Sequence, residues 1–452
     1  MQREHPLNIL QVNTYDKFGG AARIVWTLHN GFRARGHKAW VVVSAKSSQD
    51  THVQIMPLAA FEYLGKTHDN AEGHLAPSNG RNRSGIIGKF LQRAFRKSSR
   101  LWDEFWGIEN FDYPGSWRLL ETTGEQIDLI HLHNLHGNYF DLRVLPDLTH
   151  ERPTILTLHD AWLLSGHCAH SFNCDRWEIG CGHCPYLGTN PPVKRDSTAY
   201  NWRRKKEIYQ NSQVYIASPS QWLLDKVNKS ILSVAVRKSR VIHNGIDLSV
   251  FYPMEKTRAR DILQLPQEAI LCLFVATGPQ DNVFKDYKTI IEALKIVANR
   301  WKDRRVIFIA LGGDDGISNI GNTQIISVPF ERDPEMVAKY YQAADIYLHA
   351  ARADTFPTVI LEALACGMPV IATGIGGIPE QISDGQTGFI IPGEAPEIMA
   401  CRIIELLKSD DLREQMGLNA AKTAKAIFSL DRMVEDYLSY YTEVIDDWQS
   451  RK

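Results

Sequence analysis

Short apolar runs alternate with amphipathic helical stretches along the first half of the chain. The first run, Leu7–Val12, is followed by the polar stretch NTYDKFGGAAR, by helical periodicity to about Arg35, and by a second apolar run at Ala39–Ser44. This order of strand, loop, helix and strand is typical of a doubly wound parallel sheet. Further strands of this half are predicted at Leu129–Leu132, Thr154–Leu158 and Val214–Ala217.

A second series of strands and helices follows the segment Asn244–Pro253, which we interpret as a linker between domains. Its predicted strands are Ile270–Ala276, Val306–Leu311, Ile346–His349 and Val370–Ala372. The stretch Leu430–Trp448 has helical periodicity, and its apolar stripe consists of Met433, Tyr437, Tyr441, Val444 and Trp448. The pattern therefore predicts two α/β domains and a C-terminal amphipathic helix whose apolar face needs a packing partner.

Composition and charge exclude several classes of protein. The chain of 452 residues is long enough for two domains, and its 44% apolar and 23% charged residues are ordinary for a globular protein. A net charge of −1 argues against a nucleic-acid partner. No uncharged run approaches the roughly 20 residues that span a bilayer, and the first residues do not resemble a signal peptide. We expect a cytoplasmic protein, either free or peripheral on the inner face of the membrane.

The segment Ala351–Pro392 contains a short predicted helix with an exposed N-terminus. Pro357 suits a first helical position, and Gly367 is a typical C-terminal stop, which predicts a helix from about Thr358 to Cys366. The free N–H groups of Thr358 and Val359 would then face any anion that binds there, as helix N-termini bind phosphate.

Two carboxylates, Asp354 and Glu362, flank the start of this helix. Acidic groups beside a phosphate site are explained by a ligand that has both anionic and polyhydroxyl parts. In a nucleotide-diphosphate sugar the diphosphate accepts from the amides, whereas the sugar and ribose hydroxyls donate to the carboxylates, at roughly 1.5–3 kcal/mol per bond. The alternative is an Ala- and Leu-rich core helix preceded by a loop acid.

This segment, ADTFPTVILEALACGMPVIATGIGGIPEQ, resembles the E-x(7)-E signature of the family 4 retaining glycosyltransferases, which have the GT-B fold. The resemblance implies that Asp354 contacts the donor sugar and Glu362 the ribose. It also places Phe356, Thr358 and Val359 in the donor site. The helix at the C-terminus is implied to return to the N-terminal domain.

The chain departs from the family pattern at several positions. The first acid, Asp354, is one methylene shorter than the usual glutamate, and Pro357 lacks the backbone N–H of the usual glycine. Lys285, in NVFKDYKTIIEAL, resembles the family lysine that neutralises the donor diphosphate. The expected upstream arginine is missing and Asp286 replaces a glycine, so Lys285 either acts alone or is assisted by another arginine such as Arg352.

Two features of the first half agree with the same resemblance. Gly19 and Gly20 follow the first strand and match the glycine loop that closes over the donor, although a plain turn is the alternative. His159 ends the strand that begins at Thr154 and corresponds to a histidine that faces the donor sugar; the alternative is a histidine satisfied by backbone groups. His133 and His136 either line the acceptor side or form a packed network.

Four cysteines lie close together in GHCAHSFNCDRWEIGCGHCP, namely Cys168, Cys174, Cys181 and Cys184. Their spacing is typical of a structural zinc site without an open coordination position, and hence without metal chemistry. Paired disulfides and free thiols are the alternatives. We expect this loop, residues 166–186, to shape the acceptor side. A nucleic-acid-binding zinc module is disfavoured by the neutral charge.

The segment Ile86–Phe105 combines an apolar helical stripe with a basic run. This pattern predicts either peripheral contact with an anionic membrane or a helical insertion, residues 64–118, that packs on the first domain.

Together these observations predict a GT-B protein with two Rossmann-like domains that face a cleft. The predicted parts are an acceptor-side domain at 1–248, a nucleotide-sugar-binding domain at 254–429 and a returning helix at 430–452. The resemblance implies a retaining transferase that moves a sugar from a nucleotide-diphosphate sugar to a glycan or lipid-linked acceptor without a catalytic metal, with His159 and Asp354 as catalytic residues. A GT-B sugar-nucleotide epimerase is the alternative enzyme.

Overall fold

The computed structural model describes residues 5–57, 100–278 and 280–452, and the chain divides into two compact units. Unit 1 comprises Met1–Ala217, Asp225–Arg240 and Tyr440–Lys452, and unit 2 comprises Ser218–Leu224 and Val241–Ser439. Residues 64–99 of the predicted insertion 64–118 lie outside the described residues. Most of the segment Ile86–Phe105 therefore lies outside them too. Within the described ranges, every helix is too short or too polar to span a membrane.

A seven-stranded sheet with the order β3-β2-β1-β4-β5-β6-β7 forms the centre of unit 1. The central strands β4, β5 and β6 are fully buried, as expected for a parallel sheet covered by helices on both faces. The register between β1 and β4 pairs Leu10 with Ile130. The strands are β1 Asn8–Tyr15, β2 Lys38–Ala45, β3 Val53–Ile55, β4 Leu129–Leu132, β5 Thr154–Thr157, β6 Val214–Ser218 and β7 Val236–Val241. The helices of unit 1 are α1 Gly20–Ala34, α2 Leu145–Glu151 and α3 Thr198–Gln210, and α4 Gln221–Lys229 begins in unit 2 and ends in unit 1.

Unit 2 is built on a second seven-stranded sheet with the order β10-β11-β9-β8-β12-β13-β14, in which β10 is antiparallel to β11. The strands are β8 Ile270–Val275, β9 Val306–Leu311, β10 Gly316–Ile320, β11 Thr323–Val328, β12 Ile346–His349, β13 Val370–Thr373 and β14 Gly388–Ile391. The helices are α5 Lys256–Ile262, α6 Tyr287–Arg300, α7 Pro334–Ala343, α8 Thr358–Ala365, α9 Pro396–Lys408, α10 Asp410–Ile427 and α11 Leu430–Gln449. The prediction of two doubly wound α/β domains is confirmed.

The C-terminal helix α11 begins in unit 2 and ends in unit 1, as predicted. In unit 2, Met433 packs on the backbone of Gly245. In unit 1, the Tyr441 ring lies 5.3 Å from the Phe32 ring, and Tyr440 donates a hydrogen bond to the carbonyl of Ile216. The apolar stripe of the helix is therefore buried along most of its length.

The boundaries of the units differ from the predicted domain limits. Residues 241–248 belong to unit 2 and not to the first domain, and so do residues 430–439. The physical reason is local packing: the backbone N–H of Ile246 donates to the carbonyl of Phe428, and the His243 ring stacks on the Phe356 ring at 5.1 Å.

Candidate active site

A loop before α6 places Lys285 in the site of unit 2. The backbone N–H of Asp286 donates to the carbonyl of Ala350, and the N–H of Arg352 donates to the carbonyl of Phe284. Lys285 itself forms an isolated antiparallel bridge with Ala351. These backbone contacts hold the loop against the end of β12, although the two segments are far apart in the sequence.

The side chain of Lys285 forms a largely buried ion pair with Asp354. Its Nζ lies 2.7 Å from Oδ2 of Asp354 and 3.4 Å from Nε2 of His349. Burial opposes ionisation of Asp354, but the charge and hydrogen bond of Lys285, together with the nearby His349 ring, hold its pKa well below the usual range. An ammonium group has three N–H donors, so these two contacts leave one for a ligand.

His349, which we did not predict as a site residue, ends strand β12 with its side chain fully buried. Burial and then the neighbouring Lys285 charge lower its pKa to about 4, so the ring is neutral at pH 7. If Nε2 accepts from Lys285, Nδ1 carries the proton, and within the described ranges this nitrogen has no hydrogen-bond partner. Its place at the end of an apolar strand, IYLH, is the only sequence signal that could have indicated it.

Helix α8 presents its N-terminus next to this ion pair. The helix begins at Thr358, as predicted, and ends at Ala365, one residue before the predicted Cys366. Pro357 is the N-cap, with φ −65° and ψ 124°, and not the first helical residue; proline has the same φ in both positions. In the described structure the backbone N–H groups of Thr358 and Val359 donate to no protein group. The predicted anion site is thus available at this helix end.

Two glycines bring a second loop against the same segment. A Cβ at Gly376, whose φ is +62°, would lie 1.8 Å from the carbonyl oxygen of Asp354, and one at Gly377 would lie 2.0 Å from that of Thr355. Only glycine permits this approach. The next acid, Glu380, accepts from the backbone N–H groups of Gln221 and Trp222 at the start of α4, which gives it a capping role.

Phe356 and Glu362 face the interior of unit 2. Phe356 is 3% exposed and stacks on His243. Glu362 is 2% exposed and lies beside the hydroxyl groups of Tyr341 and Tyr347. Burial and then the Glu362 charge raise the pKa values of both tyrosines well above their usual value. The predicted ribose contact of Glu362 stays a prediction.

Asp286 and Arg352 contact each other at the edge of the site. Asp286 caps α6 by accepting from the backbone N–H and the hydroxyl of Thr289, which explains an acid at this position. The half-exposed guanidinium of Arg352 lies 3.7 Å from Asp286 and 3.8 Å from Glu394. Arg352 is therefore already balanced by carboxylates, and Lys285 is the more deeply placed cation.

The other predicted residues, Gly19, Gly20 and His159, belong to unit 1. Gly19 is the N-cap of α1, with φ +90° and ψ 167°. A side chain at Gly19 or Gly20 would meet no atom within 4 Å, so the loop is open on this side. The positive φ of Gly19 makes glycine the favoured residue there.

His159 is part of a histidine network. Its Nε2 lies 3.0 Å from Nδ1 of His133, and the two rings stack at 5.3 Å. The His133 ring lies 4.0 Å from the His131 ring, which is held by Tyr441 and Thr157 at 2.6 Å each. Burial lowers the pKa of His159 to about 4 and keeps the ring neutral. His131 and His133 therefore form a packed network, which is one of the two interpretations given for this cluster; the other is that the histidines line the acceptor side.

The four cysteines of the 166–186 loop form no disulfide. Cys184 has a sulfur contact of 3.4 Å with Nε2 of His167, and Cys181 accepts from the N–H of Gly166. Across the described ranges, no three His, Cys, Asp or Glu side chains are placed to hold one metal ion. The zinc hypothesis stays a prediction.

Two family profiles match consecutive parts of the chain. The profile described as Glycosyltransferase Family 4 matches residues 18–250, and that described as Glycosyl transferases group 1 matches residues 255–423. The first match covers strands β2 to β7 of the first sheet, and the second covers all the strands of the second sheet, β8 to β14.

Similar proteins agree with these matches. The putative colanic acid biosynthesis glycosyl transferase WcaC of Escherichia coli K12 is 24% identical over 338 residues, covering 69% of this chain and 76% of the relative. The D-inositol 3-phosphate glycosyltransferase of Corynebacterium efficiens is 26% identical, covering 63% of this chain and 70% of that protein.

Solved structures extend the likeness to the fold of nearly the whole chain. Sucrose-phosphate synthase from Thermosynechococcus elongatus has a TM-score of 0.61 at 17% identity, covering 98% of this chain and 100% of its own. Anabaena HepE in complex with UDP and glucose has a TM-score of 0.60 at 16% identity, and the match covers 97% of this chain and 100% of the HepE chain.

Proposed function

Since the chain belongs to glycosyltransferase family 4, we propose that it transfers a sugar from a nucleotide-diphosphate sugar to a hydroxyl acceptor, with retention of the anomeric configuration. The acceptor is a glycan or a lipid-linked sugar, in the assembly of a surface polysaccharide or a related glycoconjugate. Family membership supports glycosyl transfer; the donor, the stereochemistry and the acceptor are our proposal.

The observation that carries the proposal is the Lys285–Asp354 ion pair beside the free N-terminus of α8. The Nζ–Oδ2 distance is 2.7 Å, and the backbone N–H groups of Thr358 and Val359 have no protein acceptor in the described structure. One ammonium N–H and two amides form an anion site, and the adjacent carboxylate can accept from sugar hydroxyls. A nucleotide-diphosphate sugar has both of these chemical parts.

The transfer step then needs little more than charge stabilisation. The bond from the anomeric carbon to the diphosphate oxygen breaks, and the acceptor oxygen bonds to the anomeric carbon on the same face. The acceptor proton passes to the departing phosphate oxygen. Lys285 and the α8 amides stabilise the negative charge that grows on the diphosphate, and Asp354 orients the sugar ring. No metal takes part in this proposed step.

The names of similar proteins support this assignment. HepE has been crystallised with UDP and with UDP-glucose, which supports a nucleotide sugar as donor. The relative named for colanic acid biosynthesis supports a polysaccharide acceptor.

A donor screen tests the proposal and separates it from the epimerase alternative. The protein is incubated with UDP-, GDP- and dTDP-sugars, and both nucleotide release and the donor sugar are measured. Slow nucleotide release supports a transferase, an isomerised donor indicates an epimerase, and no binding of any nucleotide sugar rejects both. Asp354→Ala should reduce turnover more than donor affinity, because its role is to orient the reacting ring.

A further inference from the structure

A cavity of about 600 Å³ lies within unit 1, at the carboxyl ends of β4 and β5. Its volume falls in the range of small-ligand sites, roughly 300–1,000 Å³. His136 follows β4 and Trp162 follows β5, and ligands of α/β sheets bind at such strand ends. The aromatic rings that line it include Trp162, Phe111 and Tyr113.

Most of the charges that line this cavity are paired with opposite charges. Nε2 of His136 lies 2.8 Å from Oδ2 of Asp160. Lys194 pairs with Glu104 at 2.8 Å, and Glu109 pairs with the fully buried Lys205 at 2.9 Å. The remaining lining cation, Arg100, donates to the backbone oxygen of Asp112 and stacks on the ring of Tyr113 at 5.2 Å. The guanidinium of Arg100 keeps its charge, because a carbonyl oxygen is neutral, whereas the other charges that line the cavity are paired with opposite charges.

Neutral polar groups are present instead. The hydroxyl of Tyr113 donates to Oδ1 of Asn138 at 3.3 Å and accepts from Nδ2 of Asn110 at 3.3 Å. The side-chain N–H groups of Asn138 and Nδ1 of His136 make no hydrogen bond to any residue that the structure describes. In either protonation state, Nδ1 of His136 can donate to or accept from a hydroxyl group.

We propose that this cavity binds an uncharged pyranose, the terminal sugar of the acceptor glycan, with the ring against the aromatic wall and its hydroxyls on Asn110, Asn138 and His136. The proposal rests on the proposed function, which it deepens by naming the acceptor class. A sugar ring has apolar C–H faces and a rim of hydroxyls, and the cavity combines aromatic surface with neutral hydrogen-bonding groups. An acidic sugar or a sugar phosphate would have to compete for cations that already have carboxylate or carbonyl partners.

Binding without donor tests the proposal independently of catalysis. Saturation-transfer NMR titrations use methyl glucopyranoside, methyl galactopyranoside and methyl mannopyranoside as neutral probes, and glucuronate and glucose 6-phosphate as charged probes. We expect at least one neutral glycoside to bind more tightly than both charged sugars. Tighter binding of a charged sugar, or no binding of any neutral glycoside, overturns the proposal.

Two cavity variants and one matched control locate the site. Asn138→Gly removes a side chain that the proposal places on the sugar, and glycine tolerates the φ of +63° there. Tyr113→Phe removes the hydroxyl that holds Asn110 and Asn138 in position for the sugar. Each should weaken glycoside binding about two- to tenfold, as expected for loss of one neutral hydrogen bond. Tyr200→Phe, on an exposed tyrosine outside the cavity lining, should change nothing.

Equal binding by the control and both cavity variants, with unfolding midpoints like that of the unchanged protein, overturns the assignment of the cavity. The donor screen remains a separate readout. Nucleotide release without glycoside binding in the cavity refutes this inference alone, whereas glycoside binding without any donor turnover refutes the proposed function.

Discussion

Replacing Lys285 by alanine tests the ion pair at the centre of the site. Only 13% of the Lys285 side chain and 19% of the Asp354 side chain are exposed, so the variant leaves a nearly buried carboxylate without its cation. Removing one partner of a buried ion pair costs roughly 3–5 kcal/mol. Because both side chains retain some exposure, we expect the free energy of unfolding to fall by about 3 kcal/mol or less.

The same substitution should reduce catalysis by a separate amount. The departing diphosphate loses a hydrogen bond from a charged donor, which is worth roughly 1.5–3 kcal/mol. At about 1.4 kcal/mol for each factor of ten, kcat should fall about 10- to 150-fold.

Urea unfolding and steady-state nucleotide release measure the two effects on the same samples. Lys288→Ala is the matched control, because Lys288 lies one turn along in the same segment and is exposed. The double variant Lys285→Ala/Asp354→Asn should regain part of the lost stability, since no unpaired charge remains, but not the lost activity. The reasoning is refuted if Lys285→Ala is as active as Lys288→Ala, or if the double variant is no more stable than Lys285→Ala.

Three further predictions concern other parts of the site. Glu362→Gln should weaken donor binding by roughly 1.5–3 kcal/mol in calorimetric titration if the ribose donates to this carboxylate; unchanged affinity removes Glu362 from the donor site. The pKa of His349 is about 4 in the folded protein against an ordinary 6.5, so the unfolded state binds the proton more strongly. Its contribution to stability is therefore complete above pH 6.5 and is lost as the pH falls towards 4, by about 3 kcal/mol. Urea unfolding at pH 7 and pH 4.5 measures this loss of stability. The loss should be smaller in the variant His349→Phe. An equal loss in that variant contradicts the assignment of the pH dependence to His349. The spacing of the four cysteines predicts one bound zinc ion per chain. Elemental analysis of protein purified without chelator measures it. The absence of zinc, together with four thiols that can be alkylated in the native protein, rejects the site.

The central strands could be predicted because they are continuous apolar runs. Leu129–Leu132, Val306–Leu311 and Ile346–His349 have the predicted bounds. Strands at the sheet edges were missed for a physical reason. The strand β10, GISNI, is largely exposed, and β7, VRKSRV, alternates charged and apolar residues, so neither has the pattern of a buried parallel strand.

The site could be predicted only in part. Motif spacing indicated Lys285, Asp354 and the start of α8, but not that Lys285 and Asp354 contact each other across 69 positions of sequence. That contact depends on how the loop at Phe284 pairs with the end of β12. Likewise, the cysteine spacing indicated a metal site, whereas sulfur positions depend on the path of an irregular loop.

The anomeric configuration of the transferred sugar tests the central claim most directly. With the donor found in the screen and a glycoside acceptor, proton NMR of the product reports the anomeric coupling constant of the new linkage, which does not mutarotate because it is a glycoside. We predict the configuration of the donor sugar, together with one nucleotide diphosphate released per linkage formed. An inverted linkage, or a donor sugar that is epimerised without transfer, would contradict the proposed reaction at Lys285 and Asp354.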